Sequence, residues 1–213
     1  MSIELHHFFI LADPGAPEAD LLLEAGLIEG ASNDHPGQGT ANRRFFFPNT
    51  MLELIYIRDA VEARTGAGKD LRIVDRYITD GASPFGLVVR PLGDTPDVPF
   101  ASWDYCADYL PPGKPFLIGN NSDVLEEPLC VCSPIGVPMM DPPADTINQN
   151  LLLTQLELSL PVAFPSTTLV AIASSGRITL VTGKPHHMAL TFNNAQDGIF
   201  LDFRPELPLT FRR

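Results

Sequence analysis

The chain has 213 residues, enough to bury a core in one domain or two small fused modules. Its 26 acidic residues outweigh 14 basic ones, for a formal charge of -12, and only Arg43-Arg44 and Arg212-Arg213 are adjacent basic pairs. Nucleic acid and anionic membrane surfaces are therefore excluded as partners. No apolar run approaches the roughly 18 residues of a membrane span, and the N-terminus lacks a basic segment followed by an apolar one, so a cytoplasmic protein is expected.

The first predicted strand is Ile3 to Leu11, stopped by the turn "ADPGAP". "APEADLLLEAGLIEG" is a short amphipathic helix with Pro17 in its first turn and Gly26 at its end. After the loop "SNDHPGQGTAN" come the strands "RRFFFP" and "TMLELIYIRD", then a charged stretch from Ala60 to Tyr77 with a loop and a short helix. The middle block, residues 82–145, reads as a strand "FGLVVRPL", a helix "FASWDYCADYL", and strands "PFLIGN" and "PLCVCSPI". A link rich in Pro and Asp, "GVPMMDPPADT", leads to a last block: strand "LLLTQLELSLP", helix "FPSTTLVAIASSG", and strands "RITLVTG", "HHMALTFNN" and "GIFLDFRPELPLTF". The order strand, helix, three strands thus opens and closes the chain, with a looser echo between. We expect an α+β protein of repeated βαβββ modules, spanning 1–80, 82–145 and 148–213, whose curved mixed sheet forms a half-barrel around a cleft.

The three cysteines, Cys106, Cys130 and Cys132, argue against a disulfide framework, and period-two geometry puts Cys130 and Cys132 on one strand face as buried thiols. The same alternation places Ile3, Leu5, His7, Phe9 and Leu11 on one face of the first strand, and Glu4, His6, Phe8 and Ile10 on the other. Glu53 is a lone carboxylate in the otherwise apolar "MLELIYI". An ionised carboxylate buried there needs a partner. A metal shared with His7 would be one; an edge position reaching solvent, Arg43 or Arg44 is the alternative. Laid over the last block, "LHH" matches "LTQ" and "MLEL" matches "FLDF", so His7 answers to Gln155 and Glu53 to Asp202, at separations of 46 and 47 residues. His6 matches Thr154 and reads as structural.

In "HPGQGTAN", His35 sits beside Asp34 as a candidate acid, base or substrate donor, and Thr40 and Asn42 face the cleft mouth; equally, Gly37 and Gly39 permit a tight loop whose backbone Asn42 bonds. Arg43 and Arg44 alternate faces, so one enters the cleft to meet a substrate carboxylate. Trp103, Tyr105 and Tyr109 are expected in the core or cleft wall, and His186-His187 at a turn or the surface.

"LHHFFI", "ADLLLEAGL", "HPGQGTANRRFFF" and "MLEL" together resemble the glyoxalase-like domains of the vicinal oxygen chelate superfamily, the group of glyoxalases, extradiol dioxygenases and bleomycin-resistance proteins. The likeness covers the first 60 residues closely and the last 65 more loosely. It implies a divalent ion, Mn, Fe, Co, Ni or Zn, held by His7, Glu53, Gln155 and Asp202, with Glu53 and His35 as catalytic groups and Thr40, Asn42 and Arg44 on the substrate. A lyase, isomerase or dioxygenase acting on vicinal oxygens follows from that set. A metal-free protein that sequesters a small molecule is the second function the resemblance allows, and convergence of Gln155 and Asp202 on His7 and Glu53 separates the two. A homodimer and a small-molecule ligand are the expected partners.

Overall fold

The computed structural model describes residues 3–92, 98–110, 112–133 and 142–213. The first module runs β1 (Ile3–Leu11), α1 (Ala19–Glu24), β2 (Gly30–His35), β3 (Thr40–Phe47) and β4 (Thr50–Ile57), followed by α2 (Ala60–Thr65) and α3 (Ile73–Ile78). The second contributes β5 (Phe85–Pro91), β6 (Ser102–Tyr105), β7 (Phe116–Gly119) and β8 (Leu129–Cys132). The last block holds β9 (Leu153–Leu160), α4 (Thr167–Ala173), β10 (Ile178–Thr182), β11 (His187–Phe192), β12 (Phe200–Asp202) and β13 (Leu209–Arg212). Residues 134–141, which include much of the Pro- and Asp-rich link, lie outside the described residues.

The segment expected as a helix around Trp103 is the strand β6 and a turn. Trp103 and Tyr105 at a spacing of two follow strand periodicity, and β6 pairs antiparallel with β7 through Ser102 and Gly119, and Tyr105 and Phe116. "SNDH" likewise belongs to β2, which pairs with β3.

β1 to β8 form one curved sheet in the order β2-β3-β4-β1-β5-β8-β7-β6. Within each half the first strand lies parallel to the fourth: Phe9 opposite Glu53, and Val88 opposite Val131. The halves meet where β1 and β5 run antiparallel. The fold is α+β, with a βαβββ module and a second four-stranded unit sharing a mixed sheet.

The last block makes a second sheet, β10-β9-β11-β13-β12. Here β9 and β10, joined through α4, are adjacent and parallel, a crossover unit. β9 therefore takes its helix-linked successor as parallel neighbour, where β1 takes its fourth strand. Equal element order conceals a different pairing, and β11 and β13 separate β9 from β12, about 14 Å at the usual strand spacing.

One face of the large sheet packs on the small one. Phe8, Ile10, Phe45, Leu52 and Leu87 meet Leu156, Leu190, Phe192 and Phe211 in a single buried cluster that also takes in Cys130 and Cys132, on one strand face as expected. Each such apolar side chain contributes roughly 1.5–3 kcal/mol on burial. Polar groups pin the layers together. The buried Glu127 carboxylate accepts bonds from Ser166 N (2.6 Å), Ser166 Oγ (2.5 Å) and Asn121 Nδ2 (2.8 Å), and Ser166 Oγ caps α4 at Leu169 N. Buried Arg76 donates to the Ser122, Leu125 and Glu127 carbonyls. The opposite, concave face carries Phe9, Ile55, Val88, Ile118 and Val131, with Leu71 and Ile73 closing over them from the α2–α3 segment.

Candidate functional site

The concave face encloses a cavity of about 220 Å³. One wall is polar. It begins with an irregularity in β1: Leu5 pairs with Val89 and His7 with Val88, so His6 is an extra residue, a bulge. The bulge resets the alternation. Ile3 and Leu5 share the inter-sheet core with Phe8 and Ile10, while His6, His7 and Phe9 all line the cavity. The expectation that His6 faces the opposite side is corrected on this account. The two imidazoles meet edge to face, Nδ1 to Nδ1 at 2.6 Å, so one donates a hydrogen and the other accepts it.

Glu53 arrives from β4 in register with Phe9, and its Oε2 lies 3.7 Å from His7 Nε2. Asn42 Nδ2 donates to its Oε1 at 3.0 Å. Only 8% of Glu53 is exposed, and burial pushes its carboxyl up to about 7 against the pull of Arg44 and the Asn42 bond. Burial, then the neighbouring His6, His35 and Arg44, hold His7 well below the ordinary histidine value. Burial and Arg44 bring His35 down to about 4. At neutral pH the wall therefore holds neutral imidazoles beside a carboxyl that keeps its proton well above the usual carboxylate range.

Arg44, opposite Glu53 on β3, lines the cavity with its guanidinium over the Phe46 ring and its Nε donating to the Ala31 carbonyl. Arg43 points the other way, into a bidentate pair with Glu29 and a bond to Asp20. His35 is in the wall; Asp34 turns its carboxylate to Arg58 at the surface and acts on His35 as a nearby charge. Thr40 and Asn42 stand behind the wall rather than at a mouth: Thr40 contacts His35 Nδ1, and Asn42 accepts from Asn33 N while holding Glu53.

Gln38, Tyr105 and Tyr109 form one polar group that sequence reasoning misses. Both tyrosine hydroxyls donate to Gln38 Oε1, at 3.3 and 3.1 Å. Burial raises Tyr105 to about 12 and Tyr109 higher still, so both remain protonated. The signal for Gln38 lies in its flanking glycines. Gly39 has φ +71° and passes so near α2 that a Cβ would stand 2.3 Å from Ala63 N, while one on Gly66 would stand 2.4 Å from the Gly37 carbonyl oxygen. "HPGQGT" and "TGAGK" thus interlock, and the close approach drives Gln38 inward.

Gln155 and Asp202 do not join this site. Gln155, exposed on β9, donates to Thr179 Oγ1 at 3.2 Å. Asp202, exposed on the edge strand β12, is held at about 2 by its bonds with Arg204. The expected four-ligand set is corrected by the pairing of the second sheet. From β5 and β8 the cavity receives Val88, Leu129 and Val131, none of them a ligand type. Among the described residues no group of three His, Cys, Asp or Glu side chains is placed to hold an ion. One nitrogen of His7 and the Glu53 carboxyl do not make the mixed four-donor site the resemblance implied, and the donor set does not fit it. Nor is any helix among the described residues long and apolar enough to cross a membrane.

No family model matches the sequence, and no curated protein matches it. Among solved structures the chain is similar to a hypothetical protein from Staphylococcus aureus, at 9% identity and a TM-score of 0.60 over 98% of each chain. It is also similar to a mutant of 4-hydroxymandelate synthase from Streptomyces coelicolor, at 13% identity and a TM-score of 0.43 over 99% of this chain and 62% of that one. The likeness to the first is one of fold, along the whole chain.

Proposed function

We propose that this chain is a small-molecule-binding protein of the vicinal oxygen chelate type that holds its ligand without a metal. The observation that carries the reading is the asymmetry of the cavity: His7 and Glu53 stand on the first module's side, and Val88, Leu129 and Val131 occupy the second's. A cavity of about 220 Å³, apolar along β5 and β8 and polar at His7, Glu53 and the Tyr105 and Tyr109 hydroxyls, suits one molecule the size of a substituted aromatic ring. The test is calorimetry with Mn(II), Co(II), Ni(II) and Zn(II) on one side, and thermal shift with acetophenone and benzoate on the other. The expected result is stabilisation by an organic probe and no stoichiometric ion. An ion bound one per chain and lost in His7→Ala overturns the metal-free reading.

One observation favours a second reading, in which the bound molecule also reacts. A carboxyl at about 7 beside a neutral imidazole has the proton balance that general acid–base work requires near neutrality. Exchange of the acetophenone methyl protons in deuterium oxide, followed by NMR, distinguishes this from plain binding. Catalysed exchange that disappears in Glu53→Gln supports it; exchange at the buffer rate refutes it. The homodimer belongs to the same proposal and is read from light scattering, where a monomer mass removes it.

A further inference from the structure

The polar wall contains a chain of hydrogen bonds whose direction can be deduced. In the structure the Gln38 amide turns Oε1 to the Tyr105 and Tyr109 hydroxyls, which donate to it, and Nε2 to Thr40, donating to Oγ1 at 2.8 Å. Thr40 Oγ1 lies 2.9 Å from His35 Nδ1. Thr40 is 1% exposed, and His35 is the remaining side-chain partner of its hydroxyl among the described residues. If His35 carried its hydrogen on Nδ1, two N–H groups would point at one oxygen and the hydroxyl hydrogen would be buried without an acceptor. That arrangement forfeits a hydrogen bond that cannot be recovered from water. With the amide so oriented, the shorter bonds of the chain are all kept when Thr40 donates to Nδ1, which places the hydrogen of neutral His35 on Nε2 and gives up only the 3.5 Å bond that the second hydrogen of Asn42 Nδ2 would make there.

Nε2 then faces Asn42 Nδ2 at 3.5 Å, a nitrogen that already donates to Glu53. Two N–H groups confront each other beside the cavity with no acceptor between them. The Tyr109 ring, 5.3 Å from the imidazole, holds its plane. We propose that His35 is the hydrogen-bond donor to the ligand, its Nε2–H receiving an acceptor oxygen, ketone or carboxylate, of a molecule whose ring-sized apolar body lies on Phe9, Val88, Ile118 and Val131. This deepens the binding function proposed above and rests on it. Thr40 is a positioning residue: it acts through the tautomer of His35. Specificity follows from the same chain. A ligand of equal size without an acceptor leaves Nε2–H unpaired, and the site discriminates against it.

The test uses the full chain with 15N-labelled histidine. Long-range 15N–1H spectra assign the His35 tautomer in the wild type, in Thr40→Val, which keeps the volume and removes the hydroxyl, and in Thr40→Ser, which restores it. Dissociation constants are measured for acetophenone, benzoate and ethylbenzene, the last of similar shape with no acceptor. The expected result is Nε2–H in the wild type and Thr40→Ser, loss of that preference in Thr40→Val, and at least about a tenfold advantage for acetophenone or benzoate over ethylbenzene that collapses with the tautomer. Preference for one of the two oxygen probes decides between ketone and carboxylate. A wild-type His35 with hydrogen on Nδ1 or on both nitrogens overturns the relay. An Nε2–H tautomer with equal affinity for all three probes, or an advantage untouched in Thr40→Val, overturns the donor role. Binding of none of the probes defeats the ligand reading of the cavity and the donor role with it, while the spectrum still shows whether the relay stands.

Discussion

Replacing Glu53 by Gln makes the cost of its burial measurable. Gln occupies the same volume, keeps an oxygen for Asn42 Nδ2, and mimics the protonated acid without titrating. In the unfolded chain the carboxyl ionises near 4.5, and in the folded protein near 7. Between those values the native state holds a proton that the unfolded state has lost, so the contribution of Glu53 to stability falls as pH rises through the interval and is constant on either side of it. At about 1.4 kcal/mol per pH unit the fall amounts to about 3 kcal/mol. All other groups are common to both proteins and cancel in the difference. Urea unfolding of the two proteins from pH 4 to 8.5 is therefore expected to give a stability difference that is flat below about 4.5, turns steadily in favour of Glu53→Gln, and levels off above about 7. A difference that is independent of pH means that Glu53 finds a charge partner or solvent in the folded protein. One that moves toward the wild type as pH rises means that the attraction of Arg44 for the carboxylate outweighs its burial, and either result refutes the reasoning.

Ser166→Ala removes the cap of α4 and the hydroxyl donor to Glu127; the loss is expected to cost about 2–3 kcal/mol in chemical denaturation. Ser166→Thr, which keeps a hydroxyl, is expected to recover most of it. Among the cysteines, Cys106 is exposed while Cys130 and Cys132 are buried with thiols pushed up to about 12. A thiol-specific chromogenic reagent is expected to titrate one cysteine in the native protein at pH 8 and all three in denaturant; fast reaction of a second native thiol would place β8 outside the inter-sheet core.

Most of the first module is legible in the sequence because its strands are long, apolar and bounded by Pro and Gly: "IELHHFFIL" and "TMLELIYI" are β1 and β4 nearly residue for residue. The segment around Trp103 is not, because two aromatics, an Asp and a Ser fit a short helix or a short strand equally well, and the decision belongs to β7, which offers Ile118 as a partner for Trp103. The last block shows a different limit. Its elements follow the expected order except that the last expected strand is two, β12 and β13, paired antiparallel, but order does not state which strand pairs with which, and α4 carries the chain to the near edge of β9. Gln155 and Asp202 are therefore aligned by sequence and separated in space. At the site, Glu53 and His7 stand out because a charge and an imidazole interrupt apolar strands. The place of His6 is hidden because the bulge exists only relative to β5, through the partners Val88 and Val89, and nothing in β1 alone announces a change of phase.

The apolar second half of the cavity and the unusual carboxyl of Glu53 have one cause. Loss of hydration is the main reason that Glu53 stands near 7, and the cavity it faces is also lined by Phe9, Ile55, Val88, Leu129 and Val131. Were two of those side chains ligands, an ion among them would draw the carboxyl into its ionised form, and the proton balance with His7 would vanish. With hydrocarbon in their place, burial shifts the carboxyl toward its neutral form, and the adjacent imidazole is kept neutral for the same reason. The wall then offers a ligand hydrogen bonds from uncharged groups, His35 and the protonated form of Glu53, in a space where water competes poorly. The apolar lining from β5 and β8 and the raised carboxyl of Glu53 thus belong to one arrangement of the same cavity.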